Sequence, residues 1–420
     1  MIQTFTLQPG ITLRCFPDTR FKQGLLSVQF LRPMCKEEAA LNALIPAVLL
    51  RGTQSAPNLR DITLKLDDLY GAAVGAVNRR VGDYQTTGLA MRFISDRYTM
   101  DSDRILESAL SFLGELLFSP VLENGCFSRE FVSGEKRNLI AAIESQRNDK
   151  RAYANSQLLK KLCGKDSYGL PKVGTVSAVR KITPKAAYDH YLQVLKKSPV
   201  EIFYVGDTEP QRIAEILTQL FQNLHRTPVS LPDQTPCCPG RPGNHSQTME
   251  IAQGKLAMGF LAPVTLRDEG FAAMQVFNSI FGGGMTNLLF MNIREKLSLC
   301  YDISSNYHGS KGIVTVSAGI DCDKFDLVRE EILKQLEVCR SGSFSEEVFA
   351  AAKEGLISGL CGVHDSPGAI ESYYSSGMLS KMTLTPAQYQ DAIRQVTREQ
   401  VAQVAQGLRL HTTYFLKGVS

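Results

Sequence analysis

The sequence has little of what marks most specialised chains. No stretch of about 18 uninterrupted apolar residues occurs, so no membrane-spanning helix is expected. The opening residues, MIQTFTLQPGITLRCF, lack the basic start and apolar core of a secretory signal, and a cytoplasmic location is the expectation. There is no long run of lysine and arginine. A net charge of +4 over 420 residues is too small for an electrostatic footprint on nucleic acid. None of the ten cysteines forms a C-x-x-C pair. They read as buried, reduced thiols, with the adjacent Cys237 and Cys238 open to incidental oxidation rather than to a framework disulfide. The six histidines (His190, His225, His245, His308, His364 and His411) include no two close enough for a one-helix or one-turn metal site.

What is present is an ordinary globular composition, 44% hydrophobic and 21% charged. The length exceeds one ordinary core and suits two domains of roughly 200 residues each. One segment, HRTPVSLPDQTPCCPGRPGNHSQ (residues 225–247), is rich in proline, glycine and polar residues and has no apolar period, so it reads as a linker. The expected domains are then residues 1–224 and 248–420.

The halves share a layout. SVQFLRPMCKEEAALNALIPAVLLRG (residues 27–52) and AMGFLAPVTLRDEGFAAMQVFNSIFGG (residues 257–283) each run through a strand ending in Phe-Leu-x-Pro, a polar stretch, an apolar helix and a glycine stop. That repetition points to duplication. YQTTGLAMRF and GIVTVSAGI alternate like half-buried strands, whereas SALSFLGELL and VREEILKQLEV have helical apolar spacing. The predicted class is α+β: two homologous α/β sandwich domains, each a mostly antiparallel sheet with helices covering one face. A doubly wound parallel sheet would need a strict strand and helix alternation that is not seen.

Two segments offer weaker chemical signals. His364 beside Asp365, in CGVHDSPGAIES, supplies half of an acid/base site, but no nucleophile motif accompanies it. FGGGMTN opens a helix but lacks the Lys-Ser/Thr of a phosphate loop and the spacing of a dinucleotide fingerprint, so it reads as a tight turn.

GGGMTNLLFMNIREKLSLCYDISSNY (residues 282–307) carries more. Its glycine turn, short helix, Arg-Glu-Lys and following tyrosine resemble the C-terminal half of the pitrilysin/insulinase-like (inverzincin) zinc peptidases. Arg294 and Tyr301 match that family's Arg/Tyr pair at its spacing of seven. SYGLPKVGTVSAVRKITPKAAYDHYLQVLKKSPVEIFYVGD (residues 167–207) is similar to the segment that closes the family's N-terminal half, so the resemblance covers nearly the whole chain. LYGA (residues 69–72) and ESQRNDK (residues 144–150) resemble a bacterial, YmfF-like branch whose zinc motif is degenerate. A guanidinium and a phenol aimed at one carbonyl oxygen can hold an extended peptide and stabilise charge developing there.

The family's inverted zinc motif, H-x-x-E-H, places two imidazoles one turn apart with a glutamate base beside them. Counting back from Arg51-Gly52-Thr53 in LNALIPAVLLRGT, those roles fall on Ala43, Pro46 and Ala47. Pro46 removes a backbone N–H and should kink the helix unless it lies near its start. The third ligand, seven residues after the position of Glu135, falls on Ala142, while Glu144 lies about 200° further round the helix. None of the four residues can bind a metal or accept a proton. No catalytic residue and no cofactor is therefore expected in this chain.

The resemblance implies half of a clam-like chamber, completed by a related zinc-bearing partner that would hold the metal while this chain grips the peptide. A heterodimer, a peptide substrate, no nucleic acid and no membrane are the expected partners, and a homodimer of the isolated chain stays open. The alternative is a catalytically inactive scaffold or peptide-binding protein with no peptidase partner.

Overall fold

The computed structural model describes residues 2–100 and 103–418. Its strands in the first half are β1 (Gln3–Gln8), β2 (Ile11–Pro17), β3 (Gln23–Pro33), β4 (Ala73–Val81), β5 (Tyr84–Ile94), the short pair β6 (Leu122–Glu123) and β7 (Cys126–Phe127), and β8 (Val200–Gly206). In the second half they are β9 (Gly243–Met249), β10 (Gly254–Leu261), β11 (Asp302–His308), β12 (Ile313–Ile320) and β13 (Arg409–Gly418).

One sheet has the order β1-β2-β8-β3-β5-β4 and the other β11-β12-β10-β13-β9. Read from the other end, the second sheet follows the same path as the first without β1. In each, the first strand pairs parallel with the last, and the remaining neighbours are antiparallel. The duplication legible in the sequence is thus also a duplication of topology, and the α+β class holds.

Helices α1 (Ala39–Leu49), α2 (Leu59–Asp68), α3 (Ile105–Phe118), α4 (Arg129–Ser145), α5 (Lys150–Cys163), α6 (Val176–Lys181), α7 (Pro184–Lys197) and α8 (Pro210–Phe221) belong to the first half of the chain. The second half has α9 (Phe271–Asn278), α10 (Phe325–Arg340), α11 (Glu346–Cys361), α12 (Pro367–Leu379), α13 (Pro386–Gln395) and α14 (Arg398–Gln406). Two π-helical stretches, Ser279–Gly283 and Leu289–Lys296, lie between α9 and β11. Thr385 and Thr397 begin α13 and α14 with reciprocal capping boxes to Gln388 and Gln400, which satisfy two otherwise orphaned N–H groups at each end.

Two compact units result, and neither is continuous in sequence. The first takes in Met1–Glu144, Pro171–Asp233 and His364–Ser376; the second takes in Ser145–Leu170, Gln234–Val363 and Gly377–Ser420. Helix α5 therefore belongs with the C-terminal sheet, and the start of α12 with the N-terminal one.

In the first unit, alternate residues Leu26, Val28 and Phe30 of β3 join Leu89, Met91 and Phe93 in a core with α3 and α8. The opposite face carries Ser27 and Gln29, which are fully buried all the same. Gln29 Nε2 donates to Glu371 Oε1 of α12 at 2.6 Å, and Glu371 also accepts from both terminal nitrogens of Arg79, at 2.9 and 2.8 Å. A carboxylate only 3% exposed is tolerated there because three donors replace its water. In the second unit, α5 covers the matching face: Ala154 and Leu158 pack with Ala257, Tyr414 and Leu416, and Asn155 Nδ2 donates to Ser317 Oγ at 2.9 Å.

Strand β12, expected as half-buried, is buried on both faces, and so is β5 from Tyr84 to Leu89, whereas Arg92 near its end is exposed. Period-two patterning shows that a face is apolar, but it does not show that a distant helix covers the other one. The segment expected as a linker has no regular structure over residues 225–242, and its last residues, Gly243 to Gln247, lie in edge strand β9. An edge strand leaves every second residue in water, so a polar stretch serves there without an apolar signal.

Candidate functional site

Helix α1 carries the first three positions at issue. Pro46 sits well inside it, not near its start, yet the helix runs on to Leu49. Its missing N–H leaves the carbonyl of Asn42, one turn earlier, without its helical donor. Thr87 Oγ1 on β5 fills that vacancy at 2.7 Å. The Asn42 side chain is fully held as well: its Nδ2 donates to Gln85 Oε1 at 3.0 Å, and its Oδ1 lies 2.8 Å from His190 Nε2. Burial pushes the His190 pKa down, with the Arg32 charge acting the same way and Glu38 against it. The polar core beneath the helix is thus closed on itself.

Ala43 and Ala47 lie four apart and form one line along α1, with Arg51 two residues beyond the helix end; Glu135 and Ala142, seven apart, form one line along α4. Arg51 Nη1 lies 3.4 Å from Glu135 Oε1 and its guanidinium stacks over Phe131, which ties the two lines together. Ala43 and Ala47 are half-buried, Pro46 is buried and Ala142 is exposed. These side chains offer methyl groups and a pyrrolidine ring, which do not fit a zinc ion. Among the described residues, no group of three or more His, Cys, Asp or Glu side chains lies close enough to hold a metal.

Arg294 and Tyr301 lie in the second unit. The glycines before them do not adopt the positive φ expected of a tight turn. Instead Gly284 N–H donates to Ser279 O at 2.9 Å, closing the wide i to i+5 turn of a π-helix. Close approach is real, however: a Cβ on Gly282 would fall 2.7 Å from the backbone nitrogen of Ser305. Asn287 restarts the chain by accepting from Phe290 N–H at 2.8 Å, and Arg294 follows on Leu289–Lys296. A left-handed Ser298, φ 51°, turns the chain toward β11. Tyr301 N–H then donates to Gly319 O at 2.9 Å, anchoring its backbone at the head of that strand.

Both side chains reach solvent. Arg294 is 42% exposed, with its guanidinium 4.7 Å above the Phe290 ring centroid and 3.7 Å from Glu295. Tyr301 is 61% exposed, and its hydroxyl donates to Asp321 Oδ1 at 3.1 Å. Burial pushes the neighbouring Cys300 thiol up to about 11, with Asp302 adding to the rise and the Arg294 charge acting against it. His364, by contrast, is exposed in a 3-10 turn, and its carbonyl accepts from Arg20 at 3.1 Å, so it marks a chain contact rather than an acid/base pair. Sequence reasoning missed Asp321 and the group around Asn42. The one signal for the latter was an asparagine placed four residues before a mid-helix proline.

A duplicated α+β fold, each half a mostly antiparallel sheet with helices packed on it, defines the frame of a peptidase-like chain. Residues 181–356 match the family described as "Peptidase M16 inactive domain". The "Probable inactive metalloprotease YmfF" of Bacillus subtilis is 30% identical over 409 residues, covering 97% of this chain and 96% of that protein. The crystal structure of a conserved protein from Enterococcus faecalis superposes with a TM-score of 0.91 at 28% identity, covering 100% of this chain and 99% of that one. A peptidase M16 inactive domain from Pseudomonas fluorescens has the same fold, with a TM-score of 0.81 at 18% identity over 100% of this chain and 98% of that one. The chain belongs to the M16, pitrilysin/insulinase-like peptidase family, in its inactive YmfF-like branch. No H-x-x-E-H occurs anywhere in it, and no described helix is long and apolar enough to cross a membrane.

Proposed function

We propose that this chain is the non-catalytic, substrate-binding subunit of a two-chain zinc peptidase in the cytoplasm. Residues 1–224, apart from the α5 segment Ser145–Leu170 that belongs with the second unit, form the wall that carries the degenerate zinc site. Residues 248–420 form the wall that presents Arg294 and Tyr301 to a peptide carbonyl, while a related partner supplies zinc and base. The observation that carries this reading is the exposure of both side chains on anchored elements, in a chain whose Ala43, Pro46, Ala47 and Ala142 offer a metal nothing. Fixed donors lose little entropy on binding and are strongest where charge develops.

The test is reconstitution with a neighbouring family member that retains H-x-x-E-H. Neither chain alone should cleave peptides, and the pair should. Arg294→Ala and Tyr301→Phe should each lower turnover of the pair by about a hundredfold or more, with association unchanged on gel filtration. Full activity in both variants overturns the clamp role. A second reading, an inactive scaffold without a peptidase partner, is favoured by one observation: Arg294 and Tyr301 already have internal partners in Phe290, Glu295 and Asp321. Cleavage that depends on this chain and on both side chains would exclude it.

A further inference from the structure

The C-terminal end of α5 and residues 237–240 hold two thiols face to face. Cys163 Sγ and Cys237 Sγ lie 3.8 Å apart, although 74 positions separate them in sequence. The backbone on each side is fixed. Cys237 N–H donates to Lys311 O at 2.9 Å, and Gly240 N–H donates to Leu162 O at 2.7 Å. Cys238 N–H donates to Asp166 Oδ2 at 2.9 Å. Asp166 is held in turn by Lys311, whose ammonium is fully buried 3.0 Å away. Gly164, at φ 57°, allows the close crossing, because a Cβ there would meet Gly240 Cα at 2.8 Å. In an extended run successive side chains alternate, so Cys237 points toward α5 while Cys238 stays exposed.

We propose that Cys163 and Cys237 form a reversible redox-active dithiol that closes to a disulfide and fastens residues 237–240 to α5. A disulfide needs the sulfurs about 2.05 Å apart, so the pair closes by drawing in the 3.8 Å between them. Their roles differ. Cys237 is half-exposed and meets the oxidant, whereas Cys163 is fully buried and resolves. The Cys237 hydrogen bond, then burial and Asp166, hold the proton on Cys163, and Lys311 alone favours its thiolate. The reduced pair is therefore quiet until Cys237 reacts.

The co-reactant is a low-molecular-weight disulfide. Cys237 gives its proton to solvent, and its thiolate attacks one of the small molecule's sulfurs, forming a mixed disulfide and releasing one small thiolate, which takes a proton back from solvent. That step removes the negative charge on Cys237 that held the Cys163 proton in place. Cys163 sulfur then attacks Cys237 Sγ and expels the second small molecule as a thiolate, which takes up the Cys163 proton. One small disulfide is reduced to two thiols, and the protein dithiol is oxidised to one disulfide.

The experiment treats the reduced full-length protein with glutathione disulfide, alkylates it, and reads intact mass and a non-reducing peptide map. The expected product has lost two hydrogens, links the Cys163 and Cys237 peptides, and returns to the dithiol with dithiothreitol. Cys238→Ser should give the same product, and Cys163→Ala should stop at a glutathione adduct on Cys237. A lasting Cys237 adduct in the unmodified protein, a Cys237–Cys238 link, or no reaction overturns the proposal. The peptide map of the unmodified protein decides the matter even if Cys163→Ala fails to fold.

Discussion

Thr87 Oγ1 donates to the backbone carbonyl of Asn42 across 2.7 Å, supplying the hydrogen bond that Pro46 withholds from its own helix. A strand side chain repairs a helix ladder and locks α1 onto the polar core beneath it.

The repair predicts a specific coupling. Thr87→Val should destabilise the fold by about 1–3 kcal/mol, because it strands a buried acceptor. Pro46→Ala restores an N–H within reach of the same carbonyl, so the double variant should lose markedly less than the sum of the two single changes. Urea unfolding of all four proteins measures it. Strict additivity would show that Asn42 O does not depend on Thr87.

Metal content follows from the same helix. Chelator-free protein should contain far less than one zinc per chain by elemental analysis, since Ala43, Ala47 and Ala142 have no donor atoms. Adding Ala43→His, Pro46→Glu and Ala47→His should still give no cleavage by the chain alone, because position 142 stays without a carboxylate. One tightly held zinc in the unmodified protein contradicts this.

The glycine run should be graded by what surrounds it. Gly282→Ala places a methyl 2.7 Å from both Ser305 N and Leu289 Cδ1, so backbone must shift and about 1–3 kcal/mol should be lost. Gly283→Ala meets first the tip of the Asn278 side chain, which can swing away, and should cost less. Thermal melts of the two variants give the order, and an equal or reversed ranking would mean that Ser305 yields more easily than its place in β11 implies.

Acid stability should turn on Glu115. Burial acts to raise its pKa, but hydrogen bonds from Ser55, Thr53 and Lys65 together outweigh it and bring the carboxyl down to about 2. Thr53 Oγ1 donates at 2.6 Å and Lys65 Nζ lies 3.1 Å away. The folded value is below the unfolded one, so this stabilisation is present above about pH 4.3 and is lost as pH falls toward 2. It amounts to on the order of 2 kcal/mol at neutral pH, allowing for solvent screening of a partly exposed pair. Glu115→Gln should lower stability at pH 7 and flatten the decline between about pH 5 and 2. Unfolding midpoints across that range check the sign.

The sequence by itself determined what depends on neighbours in the chain. Alternation gave β5 and β12, the Phe-Leu-x-Pro repeats marked the duplicated strand and helix, and the lack of an H-x-x-E-H string could be read without any coordinates. Arg294 and Tyr301 could be named as candidates because their spacing is local. Tertiary structure alone decided what joins distant segments. Periodicity shows that a face is to be buried but does not name its cover, so nothing local assigned α5 to the second sheet or Glu371 to Gln29 and Arg79. The π-turns through Gly282 and Gly283 arise where close approach to Ser305 leaves no room for a Cβ, a contact made across the fold. For the same reason the pairing of Cys163 with Cys237 was invisible: two thiols 74 residues apart become neighbours only when Lys311, Asp166 and Leu162 hold both backbones in place.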